Sequence, residues 1–212
     1  MLKAKICGLR EKENIQEIAA LKPDYIGLMF WPGSSRYVGE NWQTDNLNLI
    51  KRLTVPAGVF VNQTVTEILE TAKKFGLDIV QLHGSESPAM CLELQSSGLE
   101  IIKAIPATSR QGIQQQAGLY SKAVSMLLLD TPTQKHGGTG ISFPHEILID
   151  LQLPLPYFLS GGLNAESILN IPTDRLPGLI GFDASSKLEI SPGLKSVEKC
   201  MAYIEAVKHK MM

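Results

Sequence analysis

The feature that most constrains this chain is a regular alternation of short apolar segments with longer segments of helical pattern. Successive apolar segments begin 21 to 32 residues apart, the length of one strand, one helix of about three turns and two short loops. Several are apolar at consecutive positions, which is typical of parallel strands covered by helices on both faces. The predicted strands begin, in chain order, at Lys3, Asp24, Pro56, Asp78, Glu100, Ser125, Pro156 and Gly178.

Eight such units predict a small (β/α)8 barrel, with residues 1–212 as a single domain. The alternative is an open, doubly wound sheet. The even spacing and the lack of a GxGxxG motif after the first strand favour the closed barrel.

Two helices show clear signals. A helix over 65–75 begins after Thr64, a cap residue followed three positions later by Glu67, as in a capping box. Near the C-terminus, one apolar stripe is predicted from Val197, Met201, Ile204 and Val207.

The composition excludes several classes of protein. Hydrophobic residues make up 44% of the chain and charged residues 19%, which is too apolar for a disordered protein. The net charge of 20 − 21 = −1 argues against nucleic-acid or anionic-membrane partners. The chain shows no coiled-coil stripe that would favour assembly, so we expect a monomer.

Cysteine and histidine spacing argues against a metal site. The cysteines Cys7, Cys91 and Cys200 lie far apart with no CxxC pair, and the histidines form neither HxH nor HExxH. The start of the chain lacks an apolar leader, and nowhere do 18 apolar residues run together. We therefore expect a cytoplasmic protein in a reducing environment.

The two longest intervals follow the second and sixth strands, with the segments WPGSSRYVGEN and TPTQKHGGTGISF. Both follow the carboxyl end of a strand, which is the catalytic face of a barrel. The extra length therefore points to a site on this face.

A thiol and a carboxyl end two of the predicted strands. Cys7 ends the first strand, where a thiol can act as a base or nucleophile if its pKa is lowered. Asp130 ends the sixth strand after an apolar run, where a carboxyl can donate a proton. Together they suit an isomerisation that takes one proton from carbon and gives one to oxygen; the alternatives are a buried, inert cysteine and a polar strand cap.

Other candidate residues could hold an anionic ligand. Gly161 and Gly162 follow the seventh strand, and barrels frequently bind phosphate between this loop and the next. The loop after the eighth strand contributes Asp183, Ser185 and Ser186.

Three further positions have open interpretations. Arg36 either holds a carboxylate through two hydrogen bonds or is a solvated loop residue. His83, at the end of the fourth strand, either contacts substrate or stabilises the rim. The glycine-rich loop around Gly138, within 131–142, is either a lid or simply flexible.

The order of these motifs resembles the phosphoribosylanthranilate isomerase family of tryptophan biosynthesis. The resemblance runs from residue 5 to about residue 196. It is carried by KICGL, GLMFWPGSSRYV, GVFVN, VQLHG, LLDT followed by HGGTGISF, LSGGLN, and DASS with EISPGLKS.

The resemblance implies an Amadori rearrangement of N-(5′-phosphoribosyl)anthranilate to its 1-deoxyribulose phosphate isomer, without cofactor or metal. Cys7 would be the general base at C2′ and Asp130 the general acid at the ring oxygen. Arg36 would hold the anthranilate carboxylate, with His83 and Gly138 also in the substrate site. The predicted phosphate site comprises Gly161, Gly162, Ser185 and Ser186, with Asp183 nearby.

The sequence departs from the family pattern at Lys187 and in the segment NWQTDNLNLI, between Glu40 and Lys51, which is predicted to be a divergent helix. It also leaves room for different functions. Lys187 stands where the family commonly has glycine, and it either closes the loop differently or adds a positive charge near the phosphate. An indole-glycerol phosphate synthase would use a strand lysine, for which Lys103 is available. A pentose phosphate epimerase, which would want metal ligands, and a phosphate-binding protein without catalysis are the remaining hypotheses.

Overall fold

Eight parallel strands form one closed barrel in a computed structural model that describes residues 1–39, 45–130 and 145–210. The last strand pairs with the first, with Lys5 opposite Asp183, so the predicted (β/α)8 class is confirmed and the open sheet is excluded. The strands are β1 Lys3–Leu9, β2 Tyr25–Met29, β3 Val55–Phe60, β4 Ile79–Leu82, β5 Glu100–Pro106, β6 Met126–Asp130, β7 Tyr157–Ser160 and β8 Leu179–Ala184.

Helices surround the barrel in the described part of the chain. Two short antiparallel strands, β9 Glu189–Ser191 and β10 Leu194–Lys195, lie between β8 and the last helix. The α-helices are α1 Lys12–Ala20, α2 Asp45–Ile50, α3 Val65–Phe75, α4 Pro88–Ser96, α5 Arg110–Tyr120, α6 Ala165–Leu169 and α7 Val197–His209.

The start and end signals of α3 agree with the sequence. Thr64 accepts a hydrogen bond from the backbone of Glu67, whose side chain in turn accepts from the backbone of Thr64. Gly76 ends the helix in the left-handed conformation, with φ of 58°. The predicted capping box is therefore confirmed.

The strands separate two apolar layers. The larger layer lies between the outer face of the barrel and the helices. A smaller cluster fills the barrel interior with Tyr25, Ala57, Ile79, Ile102, Ala104, Met126, Leu128 and Phe158. Buried polar side chains accompany this cluster within the strands, among them Lys5, Gln81 and Asp183.

The predicted stripe on α7 is partly wrong. Ile204 and Val207 are buried as expected, but Val197 and Met201 are 39% and 47% exposed. The buried face instead includes Tyr203, whose hydroxyl donates to backbone carbonyls of β1 and β8. The hydrogen bonds of the Tyr203 hydroxyl thus favour a buried face of α7 that is rotated relative to the face predicted from hydrophobicity alone.

No helix among the described residues is long and apolar enough to cross a membrane.

Candidate active site

A cavity of about 210 Å³ opens at the carboxyl ends of the barrel strands. Its wall is lined by residues of β1, β2, β3, β4, β6, β7 and β8, and of the segments that follow β2, β4, β7 and β8. The predicted site residues that the structure brings together there are Cys7, Arg36, His83, Asp130, Gly161, Gly162, Asp183, Ser185 and Ser186. Gly138 and the loop 131–142 lie outside the described residues.

Cys7 lies on the inward face of β1 and is 7% exposed. Its strand neighbour in β2 is Gly27, where a Cβ atom would lie 2.5 Å from the Cys7 sulfur. Only glycine therefore leaves room for the thiol. Burial raises the pKa of Cys7; Lys5 and Lys195 oppose this shift, whereas Asp183 adds to it.

A buried ion pair lies beside the thiol. Lys5, two residues before Cys7 on the same face of β1, places its Nζ 3.0 Å from Oδ1 of Asp183. Burial raises the pKa of Asp183, against the attraction of Lys5. Burial would lower the pKa of Lys5, but Asp183 and Cys7 outweigh it, and the pKa is raised.

Asp130 belongs to a short chain of polar side chains. The Gln81 amide nitrogen lies 2.9 Å from Nδ1 of His83, and Nε2 of His83 lies 3.3 Å from Oδ2 of Asp130. With the amide donating to Nδ1, the ring proton lies on Nε2 and points to Asp130. His83 therefore orients the carboxyl of Asp130 and also faces the cavity.

Arg36 reaches the cavity from the loop after β2, but it is already paired. Its Nε and Nη2 atoms each donate to Glu189 at 2.7 Å. Gly8, with φ of 76°, makes room for this arrangement, because a Cβ there would lie 2.5 Å from Cδ of Arg36.

The loops after β7 and β8 also line the cavity. Gly161 and Gly162 have φ of 106° and 64°, a region that residues with a side chain rarely adopt. Ser186 begins a short 3-10 turn that runs to Leu188. Backbone of this kind can approach an anion closely.

Several residues of the site were missed from the sequence. Lys5 could have been found, because strand alternation places it on the same face as Cys7. Gln81 could have been found in the same way, because it lies two residues before His83 and therefore on the same side of the chain. Glu189 and Lys195 occur in the EISPGLKS motif, yet nothing in their spacing indicates that they face Arg36.

Lys103 does not line the cavity. It lies between Ile102 and Ala104, which face the barrel interior, so its own side chain faces the helices. Its Nζ donates to Glu86 at 3.1 Å and to three backbone carbonyls. Lys103, the lysine on which the synthase hypothesis depends, therefore lies away from the site.

The metal prediction can be compared with the described residues only. Among residues 1–39, 45–130 and 145–210, no group of three or more His, Cys, Asp or Glu side chains could hold a metal ion.

The fold and the cavity define a (β/α)8-barrel enzyme with acid–base groups at the carboxyl ends of its strands. The family model for N-(5′-phosphoribosyl)anthranilate isomerase matches residues 4–206, and the chain belongs to this family. The predicted enzyme class, an isomerase, is thereby confirmed.

Individual relatives agree with the family match. The N-(5′-phosphoribosyl)anthranilate isomerase of Parabacteroides distasonis is 37% identical over 209 residues, which cover 97% of this chain and 93% of that protein. The crystal structure of the Thermotoga maritima phosphoribosyl anthranilate isomerase superposes with a TM-score of 0.84, at 28% identity, covering 99% of this chain and 100% of that one. A further isomerase structure, in complex with reduced 1-(o-carboxyphenylamino)-1-deoxyribulose 5-phosphate, has a TM-score of 0.81 at 26% identity, with coverage of 99% and 100%.

Proposed function

We propose that the chain converts N-(5′-phosphoribosyl)anthranilate to its 1-deoxyribulose 5-phosphate isomer in tryptophan biosynthesis, with Cys7 as general base and Asp130 as general acid. Family membership supports the reaction. The observation that carries the assignment is that Cys7 and Asp130 line one cavity together with candidate anion-binding residues.

The proposed reaction moves one proton at each step. Asp130 protonates the furanose ring oxygen, the bond from this oxygen to C1′ breaks, and an iminium forms between C1′ and the anthranilate nitrogen. The iminium acidifies the C2′ proton, which the Cys7 thiolate removes. The resulting enolamine gains a proton at C1′ and loses the proton of its C2′ hydroxyl, which gives the ketone. The electrons move only within the substrate, so no redox partner is needed.

Substrate binding is proposed to use two groups of residues that line the cavity. Arg36 holds the anthranilate carboxylate, and the phosphate lies against Gly161, Gly162, Ser185 and Ser186. Fixing both ends of the ligand places C2′ between the acid and the base. His83, Asp183 and Gly138 are proposed to complete the substrate site.

The decisive experiment follows the loss of substrate fluorescence by the purified enzyme. Cys7→Ser and Asp130→Asn should each lower kcat by ~10²-fold or more, the usual contribution of a general acid or base. Cys91→Ser, at a buried thiol on α4, and Asp174→Asn, at an exposed carboxylate, are matched controls that should keep full activity.

Near-normal turnover in either site variant would remove that residue from its proposed role. Binding of substrate by the wild type without turnover would instead favour a phosphate-binding protein.

We also propose that residues 1–212 act as one domain, as a monomer, in the cytoplasm. The single closed barrel of the described residues supports the domain assignment. Sedimentation velocity at several protein concentrations tests the monomer, and cell fractionation tests the location.

A further inference from the structure

Glu189 pairs with one hydrogen-bonding edge of the Arg36 guanidinium and does not pair with the other. A guanidinium offers two forked edges, Nε with Nη2 and Nη1 with Nη2. Glu189 accepts from Nε through Oε1 and from Nη2 through Oε2, both at 2.7 Å. Because the Nε/Nη2 edge is paired, a ligand carboxylate can be bound bidentately only through the Nη1/Nη2 edge.

Glu189 is itself firmly held. Its Oε1 accepts from Nζ of Lys195 at 2.9 Å and from the backbone of Gly193 at 3.1 Å. Burial opposes ionisation, but hydrogen bonds from Arg36 and Lys195 outweigh it and lower the pKa of Glu189 to about 2. A ligand carboxylate that displaced Glu189 from Arg36 would break two short charge-assisted hydrogen bonds.

Lys195 ties this arrangement to the loop after β8. Its side chain is buried, and Nζ also donates to the carbonyl and the hydroxyl of Ser185, at 3.1 and 3.2 Å. Gly8, in β1, lies next to Cδ of Arg36, because a Cβ atom added at this position would come within 2.5 Å of it. The Arg36 side chain is therefore held by Glu189 at one edge of its guanidinium and bordered by Gly8 at Cδ.

We propose that Glu189 is a positioning residue that presents the Nη1/Nη2 edge of Arg36 to the cavity and makes the site selective for a planar carboxylate. This inference rests on the proposed function, because it assumes that Arg36 receives the carboxylate of the ligand. It adds a residue that does not itself contact the ligand.

Two opposing effects of Glu189 can be compared. Its negative charge repels a ligand carboxylate across the guanidinium, but Nζ of Lys195, 2.9 Å from Oε1 of Glu189, offsets much of that charge. Fixing the fork for a bidentate contact strengthens binding about tenfold or more, the usual effect of a charge-assisted hydrogen bond. The orienting effect therefore outweighs the repulsion.

The experiment measures Kd for two probes by calorimetry. One is reduced 1-(o-carboxyphenylamino)-1-deoxyribulose 5-phosphate, and the other is the same compound without the carboxyl group. Glu189→Gln removes the charge and can satisfy only one of the two Arg36 donors. Glu189→Asp keeps the charge but retracts the carboxylate by one carbon–carbon bond, so it separates geometry from charge and retains a partner for Lys195.

Both variants should bind the carboxylate probe about three- to tenfold more weakly and the other probe as the wild type does. In an Arg36→Lys background, which lacks the fork, neither substitution should have a further effect on the carboxylate probe. Glu198→Gln removes an exposed carboxylate from the first turn of α7 and should leave both Kd values unchanged.

Three outcomes would overturn the inference. Equal weakening of both probes would mean a merely structural role, and tighter binding of the carboxylate probe by Glu189→Gln would mean that Glu189 acts only as an opposing charge. Unchanged Kd values would mean that Arg36 binds the ligand carboxylate equally well without Glu189 to orient it. Failure of the proposed function is recognised separately, as a wild type without isomerase turnover or as Arg36→Lys that binds both probes normally.

Discussion

At the scale of single residues, the environment of Cys7 has a consequence for pH dependence. Burial raises the pKa of this thiol, and the charge of Asp183 adds to the shift, while Lys5 and Lys195 oppose it. If the thiolate is the base, kcat/KM should increase with pH through a pKa above the ordinary thiol value of about 8.5.

In Asp183→Asn, the increase of kcat/KM should occur at lower pH. The substitution removes a negative charge and leaves Lys5 free to stabilise the thiolate. The pH dependence of kcat/KM and the alkylation rate of Cys7 by iodoacetamide both measure the shift. Cys91 and Cys200 interfere little, since their pKa values are raised to about 11 and about 12. A pH dependence of kcat/KM that is unchanged in Asp183→Asn would contradict the coupling between Asp183 and Cys7.

Strand periodicity and motif order were enough to predict that Cys7, His83, Asp130 and Asp183 line one cavity. The pairing of Arg36 with Glu189 was not predictable, because Arg36 lies in the loop after β2 and Glu189 in the short strand β9, both outside the eight barrel strands whose periodicity the sequence shows. Periodicity predicts which face of a strand a residue occupies. It does not predict which loop residue from another part of the chain reaches the same face.

At the scale of elements, α7 shows why apolar pattern alone was insufficient. The pattern selected Val197 and Met201, whereas the structure buries Tyr203, which is large, polar at one end and fully enclosed. Its hydroxyl lies 2.7 Å from the carbonyl of Phe182 in β8 and 3.2 Å from that of Lys5 in β1. One side chain thus connects the last helix to both strands at the closure of the barrel.

Tyr203→Phe should lower the free energy of unfolding by ~1–3 kcal/mol, because two buried carbonyl groups lose a donor while the ring is kept. Urea unfolding followed by circular dichroism measures the change. The matched control is Tyr37→Phe, at a partly exposed tyrosine in the loop after β2, which should change stability far less. A Tyr203→Phe protein as stable as the wild type would mean that the ring, not the hydroxyl, anchors α7.

At the scale of the whole molecule, the barrel wall separates side chains that face the interior from side chains that face the helices. Strand β5 contributes Ile102 and Ala104 to the interior, while Lys103 between them pairs with Glu86 under the helices. Both partners of this pair are buried, with side chains 2% and 1% exposed. The fold therefore predicts that Lys103 serves stability and takes no part in the chemistry on the other side of the wall.

Lys103→Met should lower the free energy of unfolding by ~3–5 kcal/mol, because it leaves the Glu86 carboxylate buried without its cation. The double variant with Glu86→Gln should recover part of this loss, since no charge then remains unpaired, while the amide still accepts from the backbone of Asn62 or Gly84. Isomerase activity, measured well below the unfolding temperature, should be retained in both variants. A Lys103→Met protein with normal stability and no turnover would contradict this and would favour a catalytic lysine, as in an indole-glycerol phosphate synthase.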